Sequence, residues 1–176
     1  MPLTLRLPVS TDEARVRELN ATCSTESFDF LAGAGQLSPN AASAGPADET
    51  GAVRSDWADF LESVRCQHRG DKLPPGWLPA DFLLAEVHGA ETGIAAEPTL
   101  VGRSSIRYGL TENLLNYDGH IGYAVAPDFR RRGYATEILR QSLARLADHD
   151  IHRALLTCDD DNAGSAAVIE ANGGVL

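Results

Sequence analysis

The run from His120 to Leu146 constrains the fold more than any other stretch of this chain. Gly119-His120-Ile121-Gly122-Tyr123-Ala124-Val125-Ala126-Pro127 is a short apolar run of small and β-branched residues stopped by proline, which is the pattern of a buried strand. Arg130-Arg131-Arg132-Gly133-Tyr134-Ala135 follows, and then Ala135, Leu139, Leu143 and Leu146 recur at helical spacing on one face. The unit is a strand, a basic glycine turn and an amphipathic helix.

Such a turn suits an anion. The first turn of a helix has N–H groups without intrahelical partners, and the helix dipole places partial positive charge at the same end. Gly133 and Ala135 keep bulk away from those amides, and Arg130, Arg131 and Arg132 add full charges around them. A pyrophosphate is the best-matched ligand. The rest of the chain sharpens the contrast, because 15 Lys and Arg stand against 25 Asp and Glu for a formal charge of -10. That balance argues against a general nucleic-acid surface and suits a cationic substrate, so the arginine cluster reads as a local small-anion site.

Taken in order, the 176 residues read as one domain with one site. Leu3 to Leu7 alternates as a half-buried strand. Ser10 with Glu13 forms a capping-box pattern that opens a helix running to about Cys23. Residues 32–54, rich in Ala, Gly, Ser and Pro, read as a flexible loop that either covers the substrate cleft or is plainly disordered. Trp57, Phe60, Leu61 and Val64 mark a helix from Asp56 that ends near Gly70, with Trp57 in the core. Trp77, in the stiff Leu73–Pro79 connector, reads as a plug between helix and sheet. Asp81–Val87 and Thr99–Tyr108 pair as an antiparallel hairpin, Arg153–Cys158 is a fifth strand, and a short helix from Asn162 closes at Gly173.

Arg130-x-x-Gly133-x-Ala135 behind the Val125-Ala126-Pro127 strand end resembles the acyl-CoA signature of the GNAT superfamily of N-acetyltransferases, whose pattern is Gln or Arg, two residues, Gly, one residue, Gly or Ala. Leu155-Leu156-Thr157-Cys158 and Asn162-x-x-Ser165 stand where that family places its next strand and helix, and the resemblance covers roughly Leu83 to Leu176. The segment Thr111–Asp118 resembles a bacterial branch of the family and is placed at a lip of the substrate cleft. The resemblance implies the GNAT fold of the α/β class: a mixed, mostly antiparallel central sheet, splayed at the central strands and flanked by helices, in a single domain over residues 1–176. The family continues with two more strands, so Val175-Leu176 reads as the start of a strand and the chain as truncated there. An unpaired last strand would invite a homodimer.

The resemblance also implies site roles. The backbone of Tyr123 would meet the thioester carbonyl of acetyl-CoA, and that of Val125 the pantetheine arm. The turn of Arg130 to Thr136, which contains Tyr134, would hold the pyrophosphate, and Asn162 and Ser165 would help hold the pantetheine. The reaction is direct attack of a neutral primary amine on acetyl-CoA in a ternary complex. His120 is the candidate base. The tyrosine acid that the family often carries falls at Ile169 here, which leaves Tyr117, Tyr123 or a residue of the missing tail as substitutes; the alternative function is a non-catalytic acyl-CoA sensor.

Other chemistry fits less well. Cys158 has no adjacent histidine to activate it. Asp159-x-Asp161-x-Ala163-Gly164 to Glu170 fails the calcium-loop pattern at Ala163 and in its flanking strand. His149-x-x-His152 lacks further zinc ligands, so no metal is expected. Gly133-x-Ala135 lacks the lysine of a nucleotide-binding P-loop. Three widely spaced cysteines, no run of ~20 apolar residues and no leader pattern at the N-terminus read as a reduced, cytoplasmic protein.

Overall fold

The computed structural model describes residues 3–26, 28–32, 56–89 and 98–175. Apart from Ala32, the expected loop over residues 32–54 lies outside the described residues, as does most of the hairpin turn between residues 89 and 98.

Alternation builds the sheet. Strand β1 is Leu3–Arg6, β2 Ala80–Val87, β3 Thr99–Arg107 and β4 Ile121–Val125, in the order β1-β2-β3-β4 with every ladder antiparallel. Phe82 and Leu84 point to one face, Leu83 and Ala85 to the other, and all four are buried, so β2 is covered on both sides. Helices α1 (Glu13–Ser24) and α2 (Asp56–Arg69) pack on the first face through Val16, Leu19, Trp57, Phe60 and Val64. Helix α3 (Tyr134–Asp148) covers the second face through Ile138, Leu139 and Leu146, and α4 (Ala163–Ala171) packs beside it through Val168 and Ile169. A buried hydroxyl pair, Ser104 and Ser142 at 2.7 Å, ties β3 to α3.

The periodicities read from sequence place these elements within a residue or two, and Gly70 and Gly173 close α2 and α4 at φ +70 and +84 as expected. Three local readings are corrected. The helix start is capped one residue earlier than the Ser10/Glu13 box: Asp12 reaches back to accept from Val9 N–H at 2.7 Å, because the helix opens with a 3-10 turn over Ser10–Asp12. Trp77 does not plug the sheet; it is 46% exposed, whereas Trp57 is buried and stacks on Phe60.

Arg153–Cys158 is not a strand. It meets the sheet at a single antiparallel bridge between Gly119 and Leu156. The reason is local: Leu155 N–H donates to the ring Nδ1 of His120 at 2.9 Å, so a side chain replaces the carbonyl that a ladder needs. The mixed five-stranded sheet therefore reduces, among the described residues, to four antiparallel strands with a pinned fifth segment.

Asp12 also holds β1 to α1. Arg6 donates to both its carboxylate oxygens at 2.7 and 2.8 Å and to Glu86 at 2.6 Å. Burial acts to raise the Asp12 carboxyl, but the bonds from Arg6 and the Val9 amide outweigh it and hold Asp12 below its ordinary range. A carboxylate depressed in the folded state contributes stability that is present above about pH 4 and lost as pH falls through the lower folded value. We therefore expect stability, followed by urea unfolding, to fall less steeply between about pH 5 and pH 2 in Asp12→Asn than in the parent.

Candidate functional site

Hydrogen-bond parity decides which edge of β4 is open. Ala126 N–H donates to Val101 O at 2.9 Å, and His120 O accepts from Arg107 N–H at 2.8 Å. Alternate residues of an antiparallel strand face the partner, so Gly122 and Ala124 bond β3 while Ile121, Tyr123 and Val125 turn their N–H and C=O groups outward. At His120 the backbone divides: its carbonyl goes to β3, and its N–H donates to Leu155 O at 2.8 Å. The segment after Gly119 is thus pinned to residue 155, and past that point no ladder covers the outer edge of β4 among the described residues.

The turn to α3 supplies a second set of amides. Pro127–Phe129 forms a 3-10 turn, Arg131 stands at φ +62 and Gly133, the N-cap of α3, at φ +82. Two left-handed residues so close together curl the chain into a nest of N–H groups. Among the described residues, no backbone acceptor takes the amides of Arg131, Arg132, Gly133, Ala135 or Thr136; the first helical bond runs from Glu137 N–H to Gly133 O. Added to the dipole of a 15-residue helix, these amides form an arrangement that suits an anion.

The two sets open on one cleft of about 650 Å³. Of the residues expected from sequence, Tyr123, Val125, Arg130, Arg131, Gly133, Tyr134, Ala135, Thr136, Asn162 and Ser165 border it. Arg132 and His120 do not. Arg132 donates to Asp128 O at 3.0 Å and lies over the Phe129 ring, 5.6 Å from its centroid. Across the cleft the Tyr123 hydroxyl meets Ser165 Oγ at 2.7 Å, and Asn162 Oδ1 caps α4 by accepting from Ser165 N–H at 2.9 Å. Burial raises the Tyr123 phenol above its ordinary value, against the opposing pull of the Ser165 bond, so it is protonated at neutral pH.

His120 is placed differently from the sequence expectation. With Nδ1 accepting from Leu155, a neutral ring carries its proton on Nε2 and has no lone pair left for an amine. Burial lowers its pKa, and the charge of Arg107 pushes the same way. Ile169, at the position where the resemblance leads one to expect a tyrosine, packs against the α3 core, and Tyr117 is 74% exposed. Cys158 is exposed and unpaired.

Sequence reasoning missed Glu26 and Phe28, which border the same cleft. Glu26 pairs with Arg130 at 2.6 Å, and Arg130 Nε also donates to Val125 O at 3.2 Å, so one of the three arginines anchors the turn to β4 and to the end of α1. No local pattern announces a pairing across a hundred residues. Among the described residues no group of three or more His, Cys, Asp or Glu side chains is arranged to hold a metal, and no helix is long and apolar enough to cross a membrane.

Residues 52–175 match the family described as the acetyltransferase (GNAT) domain. The chain belongs to the GNAT family. Two solved structures share its fold. The microcin C7 self-immunity acetyltransferase MccE, in complex with acetyl-CoA and AMP, is 16% identical over 97% of this chain and 77% of its own, with a TM-score of 0.55. Spermidine N-acetyltransferase from Vibrio cholerae, in complex with CoA and spermine, is 17% identical over 97% of this chain and 79% of its own, with a TM-score of 0.52. No match was found among curated proteins. In this GNAT domain the His120 ring is expected to titrate below the ordinary histidine value and to carry Nε2–H in its neutral form; nitrogen-detected NMR reporting an Nδ1–H tautomer, or a midpoint above about 6.5, would contradict the pinning bond.

Proposed function

We propose that the chain acts as a single domain over residues 1–176, an acetyl-CoA-dependent N-acetyltransferase that moves acetyl to a primary amine by direct attack in a ternary complex. The observation that carries this reading is the convergence of two sets of unpaired amides, the outer edge of β4 and the nest at α3, on one cleft. The nest and Arg131 suit the pyrophosphate, the Val125 backbone the pantetheine arm, and the Tyr123 N–H the carbonyl oxygen that becomes an oxyanion as the amine adds.

Acid and base follow from the same geometry. As the C–S bond breaks, the thiolate takes a proton from a neighbouring acid, and the protonated Tyr123 hydroxyl is the group we assign, with Ser165 in line to return a proton. His120 is engaged by Leu155, so the acceptor sheds its proton to water rather than to the imidazole. The acidic surface draws ammonium groups toward the protein, which favours a cationic amine. A reduced compartment such as the cytoplasm fits three unpaired cysteines. The second reading, an acyl-CoA sensor without turnover, draws on Ile169 and the engaged His120.

Thiol release from acetyl-CoA across a panel of primary amines separates the two: amine-dependent release supports the enzyme, and binding without release supports the sensor. With solvent as the proton acceptor, kcat/KM is expected to rise with pH toward the acceptor's own pKa; a plateau beginning near pH 6 to 7 would return the base role to a histidine. Arg131→Glu is expected to lower acetyl-CoA affinity about tenfold or more while changing unfolding free energy by no more than about 0.5 kcal/mol.

A further inference from the structure

A strap of chain after α1, residues 28–32, is fastened to the sheet by a cation that is itself hidden. Arg103 on β3 is 3% exposed, and its guanidinium is spent on backbone and hydroxyl oxygens. Nε donates to Phe30 O at 2.9 Å, Nη2 to Asp29 O at 3.5 Å and Nη1 to Ser105 Oγ at 3.2 Å. The Ser105 hydroxyl extends the contact by donating to Ala32 O at 3.1 Å. Burial pushes the Arg103 pKa down to about 10, with the charge of Arg107 pushing the same way and the Asp29 carboxylate opposing them, so the guanidinium is charged at neutral pH. Burying a cation is costly, and what this one does is hold the backbone of one short segment.

The strap is fixed from its own side as well. Phe30 and Leu31 are buried in the α1/α2 core, Asn20 Oδ1 accepts from Phe30 N–H at 3.1 Å, and Phe28 N–H donates to Cys23 O at 3.2 Å. Phe28 is the member of the strap that faces out. Its ring is 36% exposed and borders the cleft together with Ala124, and the Arg103 guanidinium carbon lies over it, 5.7 Å from its centroid. A ring held at a cleft wall by an anchored segment presents apolar area to whatever enters. Its place points to the amine rather than the donor. In the N-acetyltransferase reading the nest, Val125, Asn162 and Ser165 hold the donor on the α3 and α4 side, where the Tyr123 hydroxyl also lies. Ala124 belongs to the opposite face of β4, with the α1/α2 core. A Cβ at Gly122 would lie 3.3 Å from Arg103 Nη1, so the guanidinium over Phe28 abuts β4 one residue from Tyr123. The strap side of the cleft is thus aromatic beside the reacting strand, and Glu26, the acid that borders it, is already paired with Arg130 at 2.6 Å.

We infer that Phe28 is a specificity-determining residue that selects primary amines with an apolar group beside the nitrogen, and that Arg103 is the positioning residue that holds it there through the strap. The inference rests on the N-acetyltransferase reading and narrows its acceptor: the acidic surface draws the ammonium, and the ring takes the hydrocarbon next to it. The attraction of the ring for cations already serves Arg103, so its remaining surface contributes apolar contact.

The test is thiol release from acetyl-CoA with phenethylamine, butylamine and ethanolamine as acceptors, compared at equal concentrations of the neutral amine, with acetyl-CoA titrated into each variant. The two apolar amines are expected to exceed ethanolamine about tenfold in kcat/KM, carried mainly by KM, as a contact with a few methylenes allows. Phe28→Ala should bring the three amines within about threefold while acetyl-CoA affinity stays within about twofold. Arg103→Met should lower the same preference in the parent and add nothing in the Phe28→Ala background, a non-additivity that a merely structural loss would not show. If Arg103→Met does not fold, Ser105→Ala, which removes the bond to Ala32 O, takes its place in the same cycle. Equal kcat/KM for the three amines in the parent, or a preference that survives Phe28→Ala, overturns the inference alone. Additive losses, or no loss in the Arg103 or Ser105 variant, overturn the positioning role. Acetyl-CoA binding with no turnover on any amine overturns the N-acetyltransferase reading and this inference with it.

Discussion

His120 is the point on which the open site depends, because there one residue makes three bonds in two directions. Its carbonyl keeps β4 paired to β3 through Arg107 N–H, its own N–H goes to Leu155 O, and its ring takes Leu155 N–H. The segment that could have become a fifth strand is fixed to the sheet at one end and then released. The outward amides of Tyr123 and Val125 are left without strand partners as a result, and polar groups so exposed along a cleft are available to a ligand. A fully zipped fifth strand would satisfy the same groups and close the site.

The second determinant is electrostatic. A chain of net charge -10 concentrates three arginines at one helix start, and the structure gives each a different task. Arg130 is held by Val125 O and Glu26, which fixes the turn against β4; Arg132 lies over Phe129; Arg131, in a left-handed conformation, stays at the cleft. The Arg130–Glu26 pair is about 40% exposed on both sides, so its value lies in positioning more than in stability. In the proposed reading, anion affinity at this turn comes chiefly from oriented amides, which need no side-chain reorganisation to act.

Much of this was legible in the sequence, and the limits have physical causes. Helices α2 and α3 and strands β2 to β4 follow from hydrophobic period, and the basic glycine turn at the start of α3 follows from Gly133 with the arginines, because all these signals are local, whereas the left-handed Arg131 that completes the nest has no such signal. Arg153–Cys158 has strand composition, but a ladder depends on the partner, and here a histidine ring takes the amide. Trp57 and Trp77 carry equal hydrophobic weight in sequence, and only packing tells that one is buried and the other is not. Glu26 and Arg103 were silent because their meaning comes from contacts with residues far along the chain, Arg130 and Phe30. His120 was rightly singled out as important, while its bond to Leu155 gives it a structural task that composition does not reveal.

The measurement that tests the central claim most directly is isothermal titration of the intact protein with acetyl-CoA, with ATP as the control anion. Saturable binding of acetyl-CoA at a single site, with no comparable binding of ATP, is the result predicted by a cleft that combines a pyrophosphate nest with an open strand edge. Absence of acetyl-CoA binding, or equal affinity for ATP, would contradict the assignment of the α3 turn and the outer edge of β4 to one acyl-CoA site.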